Sequence, residues 1–121
     1  MNKPVNLDEA YSSFDELWSP RIIAQVNDYD VKVVHVAGEF TWHDHPETDE
    51  FFMVTKGRLT IRLGDPDQAS QVVLTPGDVY VVSRGVRHCP LADEGTQLLL
   101  FEPRGTANTG EASQGTVGVP I

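Results

Sequence analysis

The sequence predicts an all-β domain with one short N-terminal helix. Short runs rich in β-branched and aromatic residues recur from residue 21 onward, and turn-forming Gly, Pro, Asn and Asp residues separate them. Many short strands at near-regular spacing are typical of a sandwich or barrel. Beyond residue 18 no stretch has helical periodicity. A chain of 121 residues suits one domain, so we expect residues 1–121 to share a single core.

The predicted helix covers residues 6–18. Apolar side chains recur there at i, i+3 and i+4 spacing from Leu7 to Trp18, which forms one apolar stripe. Asn6 is suited to cap the helix N-terminus, with Glu9 three residues on, and Pro20 is suited to end the helix. The stripe must cover something apolar, either the barrel or a partner subunit.

The predicted barrel covers residues 21–103. Its strands are 21–26, 30–36, 50–54, 58–63, 70–75, 79–82 and 96–102, with a turn at residues 93–95. Alternation along the third strand places Phe52 and Val54 on the same face as Glu50. Residues 104–121 contain Gly, Thr, Pro and Asn but few large apolar groups, so they predict an irregular tail, either laid over the barrel or mobile.

The charge balance excludes two classes of partner. Lys and Arg total 9 and Asp and Glu total 18, which gives a formal net charge of −9. Such a surface repels phosphate backbones and anionic lipid, so we expect no nucleic-acid and no membrane partner.

Cys89 is the single cysteine, so no disulfide can form within the chain. With no signal peptide and no long apolar run, the prediction is a cytoplasmic protein.

Three of the four histidines fall into a pattern with one glutamate. His43 and His45 are two residues apart, so on a strand both imidazoles point to one face. A turn at residues 46–49 allows Glu50 to return on a neighbouring strand and point the same way. His88 follows a later strand and a glycine-containing turn. Three imidazoles and one carboxylate suit a first-row divalent metal, whereas His35 has no spacing partner and is interpreted as an ordinary structural residue.

These residues resemble the two sequence motifs of the cupin family, and the match is to its small single-domain members. The matching positions of the first motif are Gly38, His43, His45, Glu50 and Gly57, and those of the second are Gly77, Gly85 and His88. The chain departs from the family pattern at Ser83, where the family has proline, and at Ala92, where asparagine is common. The resemblance implies a jelly-roll barrel (a double-stranded β-helix) around a metal, and frequent homodimers.

The resemblance does not select one activity, because cupins include dioxygenases, isomerases, lyases and sensor domains. The predicted function is a metal-dependent enzyme that acts on a small metabolite in the barrel, with iron, manganese, zinc or nickel as the ion. The alternative is a metal- or ligand-binding module without turnover. No catalytic residue is assigned. Arg84 and Arg87 flank the second motif and could meet an anionic substrate, although surface arginines are common. Phe40 and Trp42 are expected opposite the ligand face.

Overall fold

A computed structural model describes residues 3–110 and 115–121. Within these residues the chain has one helix and eight strands. They are α1 (Leu7–Ser12), β1 (Arg21–Val26), β2 (Tyr29–Glu39), β3 (Glu50–Lys56), β4 (Leu59–Leu63), β5 (Ser70–Leu74), β6 (Val79–Val82), β7 (His88–Pro103) and β8 (Val119–Pro120). The predicted fold class, an all-β jelly-roll barrel with a short N-terminal helix, is confirmed.

The long strand β7 connects the two halves of the barrel. One edge of β7 pairs antiparallel with β2, while its other edge pairs first with β4 and then with β3. β5 extends the sheet from β4, and β6 extends it from β3. On the far side, β1 pairs antiparallel with β2 and parallel with β8. The curled sheet therefore surrounds one interior.

The interior is filled by every second residue of the paired strands. Phe52 and Val54 of β3 are buried on the same face as Glu50, which confirms the alternation predicted for that strand. Leu59 and Ile61 of β4 are both fully buried opposite them. This apolar packing gives the metal-ligand candidates a rigid surrounding wall.

Helix α1 is only half as long as the predicted 6–18 helix. Asn6 caps it as expected, because its side-chain oxygen accepts a hydrogen bond from the Glu9 amide at 3.0 Å. The helix ends where the Ser13 hydroxyl donates to the Ala10 carbonyl at 2.7 Å, a local bond that competes with further helical turns. Trp18 then adopts a positive φ of 57° and turns away from the helix.

The apolar residues whose spacing suggested a longer helix pack against two different parts of the barrel. Ala10 and Tyr11 pack on Val33 at the outer face of β2, where they form a small second core. Trp18 instead packs against the main core. Leu17 is about half exposed, so it belongs to neither cluster.

The turn predicted at residues 93–95 is a bulge inside β7. Val36 pairs with Thr96, but Gly38 pairs with Ala92, so three residues of β7 lie opposite one residue of β2. A second irregularity, on the β3 side, accompanies the close approach of Gly57 to β7. Gly57 has a φ of 87°, and a Cβ there would lie 2.4 Å from the Thr96 hydroxyl. Only glycine fits this motif position without displacement.

The segment predicted as an irregular tail lies over the barrel in its described parts. The Thr106 carbonyl accepts a hydrogen bond from Lys32, and the Asn108 amide donates to the Trp18 carbonyl. Near its end, Val119 and Pro120 form β8 alongside β1. Residues 111–114 of this segment lie outside the described residues.

Candidate metal centre

Backbone pairing brings the two histidine motifs together. The His43 amide donates to the His88 carbonyl at 3.0 Å, and the His88 amide donates to the His43 carbonyl at 2.8 Å. The Gly85 amide donates to the His45 carbonyl, which extends this antiparallel contact. Two segments that are some forty residues apart in the chain therefore share one short ladder, and their side chains face the same space.

Glu50 completes the cluster from the start of β3, where it pairs with Val82 of β6. One ligand atom from each of the four residues lies within 4.8 Å of the others, and all four side chains are buried. The ring centroids of His43 and His88 are 4.3 Å apart, and those of His45 and His88 are 5.8 Å apart. The structure thus brings together all four residues that the sequence singled out as metal-ligand candidates.

Hydrogen bonds orient two of the three imidazoles. His43 Nδ1 lies 2.8 Å from the Thr41 carbonyl, and His88 Nδ1 lies 2.9 Å from the Val86 carbonyl. A carbonyl can only accept, so each Nδ1 carries the proton and donates it. Each Nε2 is then left with a free lone pair, which is the state that a metal-binding imidazole requires.

The three Nε2 atoms are buried and have no hydrogen-bond partner. His45 Nε2 lies against Glu50 Oε2, and His88 Nε2 lies 3.6 Å from Glu50 Oε1, but neither contact has hydrogen-bond geometry. Orphaned buried polar atoms are costly in a folded protein. Because the four ligand atoms all lie within 4.8 Å of one another, small side-chain adjustments would let one ion contact all of them. The donor set therefore fits a divalent transition metal.

The charges within the cluster also suit a cation. Burial alone would raise the pKa of Glu50, but its contacts with His45 and His88 outweigh burial and lower this pKa to about 2. Burial and the neighbouring His88 lower the pKa of His43 to about 4. A negative carboxylate and a neutral imidazole are thus both present at neutral pH, as metal coordination demands.

A largely apolar cavity opens beside the cluster, with His43 and Glu50 on its wall. The space open to the centres of water molecules measures about 30 Å³. Trp18, Phe40 and Phe52 supply aromatic surface to it. An ion held by the cluster would face a small, largely apolar space.

Phe40 was expected opposite the ligand face, and that prediction is wrong. The chain leaves β2 at Glu39, so regular strand alternation does not continue through residues 40–42. Phe40 consequently turns inward, stacks on Trp18 at 4.6 Å and meets the His43 ring edge-on. Trp42 does point away from the cavity, and the Arg62 guanidinium lies over its ring.

Other polar residues considered from the sequence lie away from the cavity. Arg84 and Arg87 are exposed and do not border it; Arg84 lies 3.9 Å from Asp49 on the surface. The His35 ring contacts the Tyr11 carbonyl at 2.8 Å, which agrees with a structural role. Cys89 is fully buried, and burial raises the pKa of its thiol.

Sequence reasoning missed one ion pair near the site. Lys32 of β2 and Glu102 of β7 are both buried, and Lys32 Nζ lies 2.8 Å from Glu102 Oε1. Glu102 lines the cavity, and burial together with the charge of Glu50 raises its pKa to about 7. The signal was present in the strand alternation, because Leu98, Leu100 and Glu102 occupy successive inward positions.

Comparison with known proteins agrees with this architecture. The family model described as "Cupin domain" matches residues 31–102. The chain belongs to the cupin family. It is 34% identical over 88 residues to the uncharacterized protein YdbB of Bacillus subtilis (strain 168), an alignment that covers 73% of this chain and 75% of that protein.

Two solved structures are similar over most of this chain. A cupin-2 domain containing protein from Shewanella frigidimarina NCIMB 400 is 44% identical, with a TM-score of 0.77, and the match covers 83% of this chain and 94% of that one. Protein NMB1881 from Neisseria meningitidis is 25% identical, with a TM-score of 0.73, and the match covers 84% and 99% of the two chains. Among the described residues, no helix of this cupin has the length and apolar character needed to cross a membrane.

Proposed function

We propose that this cupin holds one divalent transition metal through His43, His45, Glu50 and His88, and acts as a metal-dependent enzyme on a small metabolite. The observation that supports it most strongly is that three buried Nε2 atoms, none of which forms a hydrogen bond, and one carboxylate lie within 4.8 Å of one another. The proposed ion is iron, manganese, zinc or nickel, because mixed imidazole and carboxylate ligands suit all four.

The chain's own residues would perform three tasks at this centre. The hydrogen bonds from His43 and His88 to backbone carbonyls hold the imidazoles in the metal-binding tautomer. Four protein ligands leave up to two positions of an octahedral ion for a substrate oxygen or water. The apolar walls limit water around those positions. When bound, the metal would supply Lewis-acid or redox chemistry, as dioxygenase-, isomerase- and lyase-type reactions require.

Metal analysis of protein purified without added ions tests the centre. We expect about one equivalent of a transition metal in the wild-type protein and almost none in His43→Ala, because removing one ligand leaves an incomplete shell. His35→Gln is the matched control, since His35 lies outside the cluster, and it should keep the metal. Equal metal content in His43→Ala and the wild type would refute the proposed site.

The small size of the cavity favours a second candidate function. A small, largely apolar cavity suits retention of a small ligand, as in a binding or sensor module. A product-forming assay on metal-loaded protein under air separates the two candidates. Turnover of any small oxygen-bearing metabolite supports the enzyme, whereas saturable binding without product supports the module.

The proposal also includes a homodimer in the cytoplasm. The cupin resemblance supports the dimer, and the single thiol of Cys89 suits a reducing compartment. Sedimentation equilibrium of the purified protein tests the dimer, and a mass of one chain at micromolar concentration would contradict it.

A further inference from the structure

The Glu102 carboxylate occupies a position where the fold would otherwise place an apolar side chain. Along β7, Leu98 and Leu100 point inward and are buried, and Glu102 follows them on the same face with 3% of its surface exposed. Glu102 lines the cavity that His43 and Glu50 also line. A residue with a carboxyl group is therefore placed beside the proposed metal.

Lys32 holds this carboxylate in place. Its ammonium group lies 2.8 Å from Glu102 Oε1 and donates a second hydrogen bond to the Thr106 carbonyl at 3.0 Å. Lys32 itself is fully buried and does not border the cavity. Of the two paired residues, only Glu102 lines the interior space.

Stability alone does not account for such a pair. Burying two charges costs a large desolvation energy, and well-packed apolar residues of similar volume often serve a fold equally well or better. The rest of the lining is apolar apart from the ligand candidates and Asn108. The side-chain amide and oxygen of Asn108 are already bonded to the Trp18 carbonyl and the Thr116 amide. Glu102 is therefore the acceptor that a molecule in the cavity would meet.

We propose that Glu102 is a specificity-determining residue that accepts a hydrogen bond from the molecule bound at the metal. The inference rests on the proposed function. It defines the ligand class as small molecules that carry an oxygen ligand for the metal at one end and an O–H or N–H donor a few atoms away. A short apolar segment between the two ends would meet the aromatic and aliphatic walls.

Cobalt-loaded protein provides the test, because visible absorption of Co²⁺ reports both metal binding and ligand binding. The probes are glycolate, 3-hydroxypropionate and 4-hydroxybutyrate, each compared with its O-methyl ether, which cannot donate a hydrogen bond. For at least one chain length, we expect the wild-type protein to bind the hydroxy acid about tenfold or more tightly than the ether, as hydrogen bonds to charged acceptors do.

Three variants assign that preference to Glu102. The double variant Lys32→Met/Glu102→Leu removes both charges together, so it leaves no unpaired buried ion, and its preference should fall to within about twofold of unity. Glu102→Gln should also reduce the preference, because a neutral amide is a weaker acceptor, and it serves if the double variant does not fold. Asp30→Asn is the matched control: Asp30 is fully buried and pairs with Glu102 in register, but it does not border the cavity. It should keep the wild-type preference.

The outcomes are distinguishable. Equal affinities of the wild-type protein for hydroxy acid and ether at every chain length would overturn the role of Glu102. An unchanged preference in Glu102→Gln and the double variant would overturn it as well and leave the pair purely structural. Failure of the wild-type protein to bind Co²⁺ would instead overturn the proposed metal centre.

Discussion

At the scale of single residues, two backbone carbonyls set the tautomer of two imidazoles in the histidine cluster. The carbonyls of Thr41 and Val86 each accept a hydrogen bond from one Nδ1, so in the neutral imidazole the free lone pair lies on Nε2. His45 differs, because its Nε2 faces the Glu50 carboxylate. Burial alone would lower the pKa of His45, but the contacts with Glu50 outweigh burial and raise it.

Metal affinity should therefore depend on pH through His45. Because its pKa is raised, His45 keeps its proton to a higher pH than an ordinary histidine in the metal-free protein, and an entering ion must displace that proton wherever it is present. Glu50 and His43, with pKa values of about 2 and about 4, are already deprotonated. We expect the apparent affinity to fall as pH decreases from about 8 to about 6.

Calorimetric titration in buffers of different ionisation enthalpy measures this effect, and the number of protons released for each ion bound should increase as the pH is lowered towards about 6. Affinity that is constant over this pH interval would show that His45 is not protonated beforehand. His35→Gln should reproduce the wild-type profile, since His35 lies outside the cluster.

Gly57 gives a prediction about stability. In Gly57→Ala the new Cβ would lie 2.4 Å from the Thr96 hydroxyl and 2.6 Å from the Thr96 Cα, in addition to requiring a left-handed backbone. Gly64→Ala is the control, because Gly64 has a φ of 93° but nothing within 4 Å of its Cβ position. Gly64→Ala should cost about 1–2 kcal/mol of unfolding free energy, and Gly57→Ala at least about 1–2 kcal/mol more.

Urea unfolding of both glycine variants checks the prediction. A cost for Gly57→Ala no larger than that for Gly64→Ala would mean that β7 yields freely at Thr96. That result would be inconsistent with the close approach of Gly57 to Thr96 of β7.

The residue scale also shows where sequence reasoning succeeds. The spacing of His43, His45 and Glu50 and the glycine turn before His88 were sufficient to select the four side chains that the structure brings together. The Lys32–Glu102 pair was not found, because its members lie on different strands and only the register of β2 against β7 makes them neighbours. Pairing register is a tertiary property that one sequence does not display.

At the scale of elements, the short helix α1 is fixed to the barrel mainly by hydrogen bonds of the Tyr11 side chain. The Tyr11 hydroxyl donates to the Leu98 carbonyl at 2.6 Å and accepts a hydrogen bond from the Thr55 hydroxyl at 2.9 Å. A helix of six residues has little stability of its own. The position of α1 therefore depends on these hydrogen bonds of Tyr11 and on the packing of Ala10 and Tyr11 against Val33.

Tyr11→Phe should destabilise the protein by about 1–2 kcal/mol, because it removes two hydrogen bonds and leaves the Leu98 carbonyl with one partner fewer. Tyr29→Phe is the control, since Tyr29 is exposed and stacks on Phe101. It should change stability by less than about 0.5 kcal/mol. Thermal and urea unfolding measure both. A loss in Tyr11→Phe no greater than in Tyr29→Phe would contradict this anchoring role.

Strand positions were predicted better than element ends. The bounds of β1 and β6 match the sequence prediction, because clear turn residues flank both. The helix was predicted too long, since apolar spacing does not distinguish residues that share one face from residues that bury against different partners. The first half of β7 was missed because residues 93–95 have turn chemistry but form a bulge within a continuing strand.

At the scale of the whole molecule, the proposed metal should stabilise the entire barrel. An ion that binds only the folded chain adds about 2.7 kcal/mol of stability at a concentration one hundredfold above its Kd. For a domain of this size, that corresponds to an increase of about 10 °C in Tm. Scanning calorimetry with and without saturating Zn²⁺ tests this, and EDTA should reverse the increase.

The His88→Ala variant is the companion measurement. It should show little increase in Tm with the same Zn²⁺ concentration, because one of the four ligands is missing. An equal increase in the variant and the wild type would mean that Zn²⁺ stabilises the protein elsewhere on its acidic surface.

The reciprocal backbone bonds between His43 and His88 have a consequence for how the protein matures in the cell. His88 lies some forty residues after the other three ligand candidates, so a nascent chain that lacks the second segment offers the ion three of its four ligands. Tight binding of the metal must then wait until β7 has been synthesised and the His88 segment has paired with the His43 segment. The ion would bind late in folding, once the barrel is complete, and would then slow its unfolding.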